Sequence, residues 1–207
     1  NLRAHVNLFA SAALLAALLA ACGHNERDDI ILEPTHNNAV AYWHDVGAAT
    51  INASAALATT PEEQRPSFAT DLATMHLAIY DAVSAIDGHY KPFLLATPVS
   101  PAAGASMDAA VSAAAYGVLR ALFPNRGAQY QAAYDSYVAA IAAGEAKTRG
   151  LALGAEVAAV IVADRRNDGR AVVLEPYVPG TAPGKFRGLN PANRFLPFIR
   201  PFSMTSA

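Results

Sequence analysis

Cysteine is all but missing from this chain. Cys22 is the only one, so no internal disulfide can form. Charge is sparse as well: Asp, Glu, Lys and Arg make up 15% of the residues against 53% hydrophobic ones. That balance calls for heavy burial or for a membrane-directed segment. The net charge of −2 gives no reason to expect nucleic acid or an acidic membrane surface as a partner. There is no GxSxG elbow, no phosphate-binding P-loop and no GxGxxG turn. The six histidines (His5, His24, His36, His44, His76 and His89) show neither HxxxH nor HExxH spacing, so a zinc site on one helix is not indicated. The carboxylate pairs Asp28-Asp29 and Glu62-Glu63 fall in a tether and at a helix start, where they serve solvation and the helix dipole.

What is plentiful is alanine, the best helix former. With 207 residues the chain is long enough for one domain with a real core. Arg3 and His5 precede an apolar run, Val6 to Ala21, broken only by Asn7 and Ser11. It is shorter than the roughly 20 apolar residues of a spanning helix and suits a secretory signal. The run ends in Leu19-Ala20-Ala21-Cys22-Gly23, a lipobox-like sequence in which the Cys22 thiol takes the lipid. The expectation is a signal peptide over 1–22, a tether over 23–36, and a protein exported to a bacterial cell envelope and held to the membrane by its lipid. Asn rather than Met at position 1 and the closing Ser-Met-Thr-Ser-Ala read as cuts in a longer protein.

Residues 37–170 read as a helical bundle. Asn37 or Asn38 caps a first helix running to about Ala58, with Val40, Trp43, Val46, Ile51 and Ser54 inward. Trp43 is expected to anchor the core, with His44 and Asp45 facing water or capping a neighbour. Thr59 or Thr60 before Pro61 and Glu62-Glu63 marks another helix start. Arg65 to Ile86 carries the clearest stripe: Leu72, Met75, Ile79, Val83 and Ile86 recur every three or four residues. It is expected to be the central helix, with His76 and Tyr80 beside the stripe and Asp81 needing a partner if buried. Asp87-Gly88 ends it, and a loop with three prolines follows over 88–104. Ser106 or Asp108 caps a helix through Phe123, inward at Ala110, Val111, Ala114, Val118, Leu119 and Leu122. Tyr130, Tyr134, Tyr137, Val138 and Ile141 define a fourth helix. A fifth runs from Glu145 to about Asn167, inward at Leu151, Val157, Val160 and Ile161. Gly150 and Gly154, four apart, suit a close helix crossing. The expected fold is all-α: an antiparallel bundle of about five helices.

After Gly169 the periodicity ends. Residues 171–207 hold six prolines and read as an irregular connector that needs something to pack against. Lys185, Arg187, Arg194 and Arg200 lie in it, the one basic cluster with anion-binding potential. They line an oxyanion pocket or are surface charges on a connector.

Several stretches together carry a resemblance. They are AVAYWHDVGAATINA, RPSFATDLATMHLAIYDAVSAIDG, MDAAVSAAAYGVLRALFP, the helix ending ADRRNDG, and YVPGTAPGKFRGLNPANRFLPFIRPFSM. In this order and spacing, residues 38–207 resemble the N-terminal helical half of bacterial vanadium-dependent haloperoxidase-like proteins. Those belong to the phosphatidic acid phosphatase type 2 superfamily. The resemblance implies a complete protein that holds vanadate in a helical bundle, uses hydrogen peroxide and oxidises a halide; phosphatase relatives hydrolyse phosphate esters with the same pocket. It implies a lysine–arginine–proline element, a Ser-Gly-His element and an arginine–histidine element. None is present: Phe195 rather than proline follows Arg194, Arg200-Pro201 lacks the lysine, and no histidine follows His89. No catalytic residue is therefore carried over, and the catalytic half is expected beyond residue 207. Without it, this chain is expected to be inactive and to self-associate through the face meant for that half. The competing expectation is a non-enzymatic exported helical module that binds a partner.

Overall fold

The computed structural model describes residues 38–53, 67–95, 97–98, 100, 102–189 and 191–204. Cys22, the signal and tether segments, Ser54 and the helix start at Thr59–Pro61 lie outside the described residues. The fold is all-α, with no strand among the described residues. Among the described residues five α-helices carry it: α1 Ala39–Asn52, α2 Ala73–Asp87, α3 Met107–Leu122, α4 Gly127–Ala140 and α5 Glu145–Arg165. None of the described helices is long and apolar enough to cross a membrane.

The helix ends follow local chemistry. Asn38 Oδ1 accepts from the N–H groups of Val40 at 2.8 Å and Ala41 at 3.3 Å, satisfying two donors that the first turn leaves open. Ser106 Oγ does the same for Ala109. Gly88 closes α2 at φ 72°, a conformation open to glycine without penalty. Helix α1 stops earlier than its sequence suggests. Ala53 turns extended, and its N–H closes on the Ala49 carbonyl.

Consecutive helices run antiparallel. Tyr42 meets Ala133 and Tyr137 while Thr50 meets Tyr130, so α1 opposes α4. Gly47 faces Leu72 and Met75 while His44 faces His76, so α1 opposes α2. The closest approach is between two helices that run the same way. Gly150 lies on Ser106 and Ala109, Gly154 on Ala110, Ala113 and Ala114, and Gly117 on Ala158, so α3 and α5 are parallel. The glycine pair thus admits the close crossing expected of it, between two odd-numbered helices of an antiparallel bundle.

The centre is α3, not the Arg65–Ile86 stretch. Residues 109–115 of α3 are all buried, and the helix touches each of the other four. A helix apolar on every side belongs inside, whereas a narrow stripe marks one with a wet back. Helix α2 is of the second kind: Leu72, Met75 and Ile79 enter the core, Val83 and Ile86 are half-buried against it, and Tyr80 is exposed. Its start also departs from a plain α-helix, because Phe68–Leu72 forms a π-helical turn. In α5 the buried stripe is Gly150, Leu153, Gly154, Val157, Ala158 and Ile161, while Leu151 and Val160 are half-buried. Two glycines in that stripe shift the apparent hydrophobic face.

Asp81, fully buried, finds its partners in the loop after α2. Its carboxylate accepts the N–H groups of Phe93, Leu94 at 2.9 Å and Leu95 at 3.0 Å. Three backbone donors on one carboxylate fix a loop that has no regular structure of its own. Asp81→Ala is expected to lower stability by about 2–3 kcal/mol, the scale of losing charge-assisted hydrogen bonds and leaving buried donors unmet. Denaturant unfolding checks this. Faster amide exchange confined at first to 93–95 is expected, and unchanged exchange there would refute the anchoring role.

Candidate functional site

Apart from Asp81, the buried charges among the described residues gather at one end of the bundle, where the π-helical turn meets the ends of α3 and α5. Leu72 N–H reaches back five residues to the Ser67 carbonyl at 3.4 Å, and Asp71 Oδ2 accepts the Ser67 N–H at 2.8 Å. The wide turn leaves Asp71 Oδ1 to accept from Arg170 Nε at 2.6 Å, across 99 positions of sequence. Such turns recur where a helix must re-aim a side chain. Past the end of α5, Arg165 grips Asp168 Oδ2 through Nε at 2.9 Å and Nη2 at 2.8 Å. Asp168 Oδ1 takes the Arg170 N–H at 3.0 Å, so the two ion pairs are one network. Arg165 also donates to the Arg200 carbonyl at 2.8 Å and lies over the Phe202 ring, and Arg170 lies over Phe123. Burial pushes the Asp71 carboxyl above the usual carboxylate range, and the charge of Asp168 adds to this. Arg170 and the Ser67 N–H pull the other way.

Beside this network lies a cavity of about 350 Å³. Its polar wall includes Thr70, Asp71, Arg165, Arg166, Asp168 and Arg170. Its apolar wall includes Ala121, Leu122, Val162 and Ala171. No histidine lines it.

The basic residues singled out in the sequence lie on the irregular segment after the helices. Lys185 and Arg187 are exposed on the 181–189 segment, where Arg187 donates to the Thr181 carbonyl at 3.2 Å. Arg194 stacks over Tyr177 and donates to the Glu175 carbonyl at 2.8 Å. Arg200 pairs with Asp164 at 2.6 Å. None of the four lines the cavity described above.

A second polar pair joins α1 and α2. His44 Nδ1 and His76 Nε2 are 3.0 Å apart on an exposed face, sharing one hydrogen bond. No helical spacing announces this pair, because its members sit on different helices. Among the described residues no group of three or more His, Cys, Asp or Glu converges as a metal site would. Burial, then the neighbouring His44 ring, lowers the His76 pKa below its ordinary 6.5. Below 6.5 the unfolded chain therefore binds a proton that folded His76 resists. Stability contributed by neutral His76 is present above 6.5 and is lost as pH falls through the lowered value. The urea midpoint is expected to drop between pH 7 and pH 5, with a smaller drop in His76→Gln; parallel curves for the two proteins would sink the assignment.

The irregular segment after the network is held down and yet largely wet. Arg200 N–H bonds the Asp168 carbonyl at 2.6 Å, and Phe195 and Ile199 are buried. Val173, Val178, Phe186, Leu189, Phe198 and Met204 are each more than half exposed. Compared with known proteins, the chain matches no protein-family model, no curated protein and no solved structure.

Proposed function

We propose that this chain is the helical N-terminal half of an exported, lipid-anchored, vanadium-dependent haloperoxidase-like protein, and that it serves as the scaffold for a catalytic half. The observation that carries the reading is the state of residues 171–204. They are tied to the bundle through Arg200, whose side chain pairs with Asp164 and whose backbone meets Arg165 and Asp168, yet they present six large apolar side chains to water. A segment fixed in place with apolar groups turned outward suits a surface awaiting a partner. The order of motifs along residues 38–207 supplies the family.

Vanadate does not fit the residues of this chain alone. Arg187, Arg194 and Arg200 are engaged with acceptors of this chain, and His44, His76 and His89 sit on α1, α2 and the loop after α2, bonded to one another or to Asp87. No catalytic step is assigned to this chain. In the complete protein, vanadate, hydrogen peroxide and halide belong to the half that packs on the tail.

The test is the coding sequence past Ala207, followed by expression of the longer product. A lysine–arginine–proline element, a Ser-Gly-His and a later arginine–histidine pair are expected, with dye bromination that requires vanadate, bromide and peroxide. Phosphate ester hydrolysis without bromination would instead make the protein an acid phosphatase of the same superfamily. An immediate in-frame stop, with a monodisperse chain that binds no apolar dye, would overturn the scaffold reading. So would bromination by the 207-residue chain alone.

A further inference from the structure

The cavity at the charged end of the bundle has polar capacity that the fold does not use. Arg170 commits Nε to Asp71 and Nη1 to the Leu122 carbonyl at 3.5 Å, and its Nη2 has no hydrogen-bond partner among the described residues. The residue is only 9% exposed. Thr70, 5% exposed, likewise leaves Oγ1 unpartnered, whereas the nearby Thr74 hydroxyl donates to the Thr70 carbonyl at 2.7 Å. A buried polar group left unmet costs about 1–3 kcal/mol, so two in one cavity call for an explanation.

Charge gives the sign of what would meet them. Three guanidinium groups, Arg165, Arg166 and Arg170, line the cavity with two carboxylates, Asp71 and Asp168. Each carboxylate already has its own arginine. Arg166 has no ion pair among the described residues, so the wall keeps a positive charge to offer. The rest of the lining is mainly aliphatic. The volume, about 350 Å³, lies at the small end of ligand pockets, which run from about 300 to 1,000 Å³.

We infer that this cavity binds a small amphiphilic anion, with an oxyanion head (a phosphate monoester or a carboxylate) on Arg170 Nη2, Thr70 Oγ1 and Arg166, and a short aliphatic chain along Leu122 and Val162. The head supplies the acceptors that the orphaned donor lacks and neutralises the spare charge. The chain covers the apolar wall, which a bare inorganic ion would leave wet. The inference does not rest on the haloperoxidase-like reading.

Calorimetric titration of the full chain tests it, with butyl phosphate and pentanoate as probes and butanol and inorganic phosphate as controls. One anion per chain is expected, bound about tenfold more tightly than either control, the scale of one charge-assisted hydrogen bond. Butyl phosphate ahead of pentanoate assigns a phosphate head, and the reverse a carboxylate head. Arg166→Gln and Thr70→Val are each expected to weaken binding several-fold, with the unfolding midpoint of the free protein unchanged or, for Thr70→Val, raised. Neither anion binding better than butanol would overturn the inference, as would both variants titrating like the parent. Arg170 is left intact because its pair with Asp71 holds the fold together.

Discussion

Asp71→Ala is expected to destabilise the protein by about 3–5 kcal/mol, the range for removing one partner of a buried ion pair. Asp71 is 1% exposed in its side chain and Arg170 10%, so water cannot take over the lost bond at 2.6 Å. The substitution leaves the guanidinium buried on the Leu122 carbonyl and the Phe123 ring. It also frees the Ser67 N–H, which Asp71 caps. Two segments should therefore loosen together: the π-helical turn at Phe68–Leu72 and the chain after Asp168. Amide exchange that rises in both, beside a lower denaturant midpoint, is the expected result. The double variant Asp71→Leu with Arg170→Met should recover much of the loss, since an apolar pair of similar size leaves no charge stranded. A single-variant loss below about 1 kcal/mol, the worth of a surface pair, would show that the pair is solvated and not structural.

The second large effect concerns Gly154. Alanine is normally better than glycine inside a helix by about 1 kcal/mol. At Gly154 the sign is expected to reverse. A Cβ there would lie against the Ala110 carbonyl, 2.8 Å from Ala113 Cβ and 2.9 Å from Ala114 N. Two of these neighbours are backbone atoms of α3 and cannot turn aside as a long side chain would. Relief requires α3 and α5 to separate, and α3 is packed on every other side. Overpacking of this kind costs about 1–3 kcal/mol and sometimes more. Gly154→Ala is placed at the top of that range. Adding Gly150→Ala, which meets Ser106 and Ala109 in the same way, should deepen the loss, though the two will not simply add. Gly127→Ala is the control: nothing lies within 4 Å of a Cβ there, and the change should be neutral or stabilising. If Gly154→Ala matches the control, the helices are further apart than this packing describes.

Helices were readable wherever their signals are local. Asn38, Ser106 and Gly88 act within a turn or so of their own positions, and the apolar stripe of α3 repeats with the helix period, so composition and spacing sufficed for an all-α fold. The same reasoning misjudged which helix is central. Both α2 and α3 carry a stripe at the helix period, and which of the two is enclosed depends on contacts with elements distant in the chain. In α5 the two glycines at the crossing left the buried stripe looking displaced toward Leu151 and Val160.

The candidate site was less legible. Its members stood in plain view as Asp71, Arg165, Asp168 and Arg170, but each looks like an ordinary helix-end charge until residues 99 positions apart are brought together. The basic residues that drew notice, Lys185 to Arg200, lie outside that cavity. His44 and His76 met for the same reason that Asp71 met Arg170: partners on different elements have no spacing rule. By itself, then, the sequence determined the helices and their caps, because those depend on neighbours within a few residues. Only the tertiary structure decided which helix lies at the centre, which charges are buried together and which arginine donor is left over. Those are set by packing between segments far apart in the chain, where burial removes water and makes each unpaired charge costly.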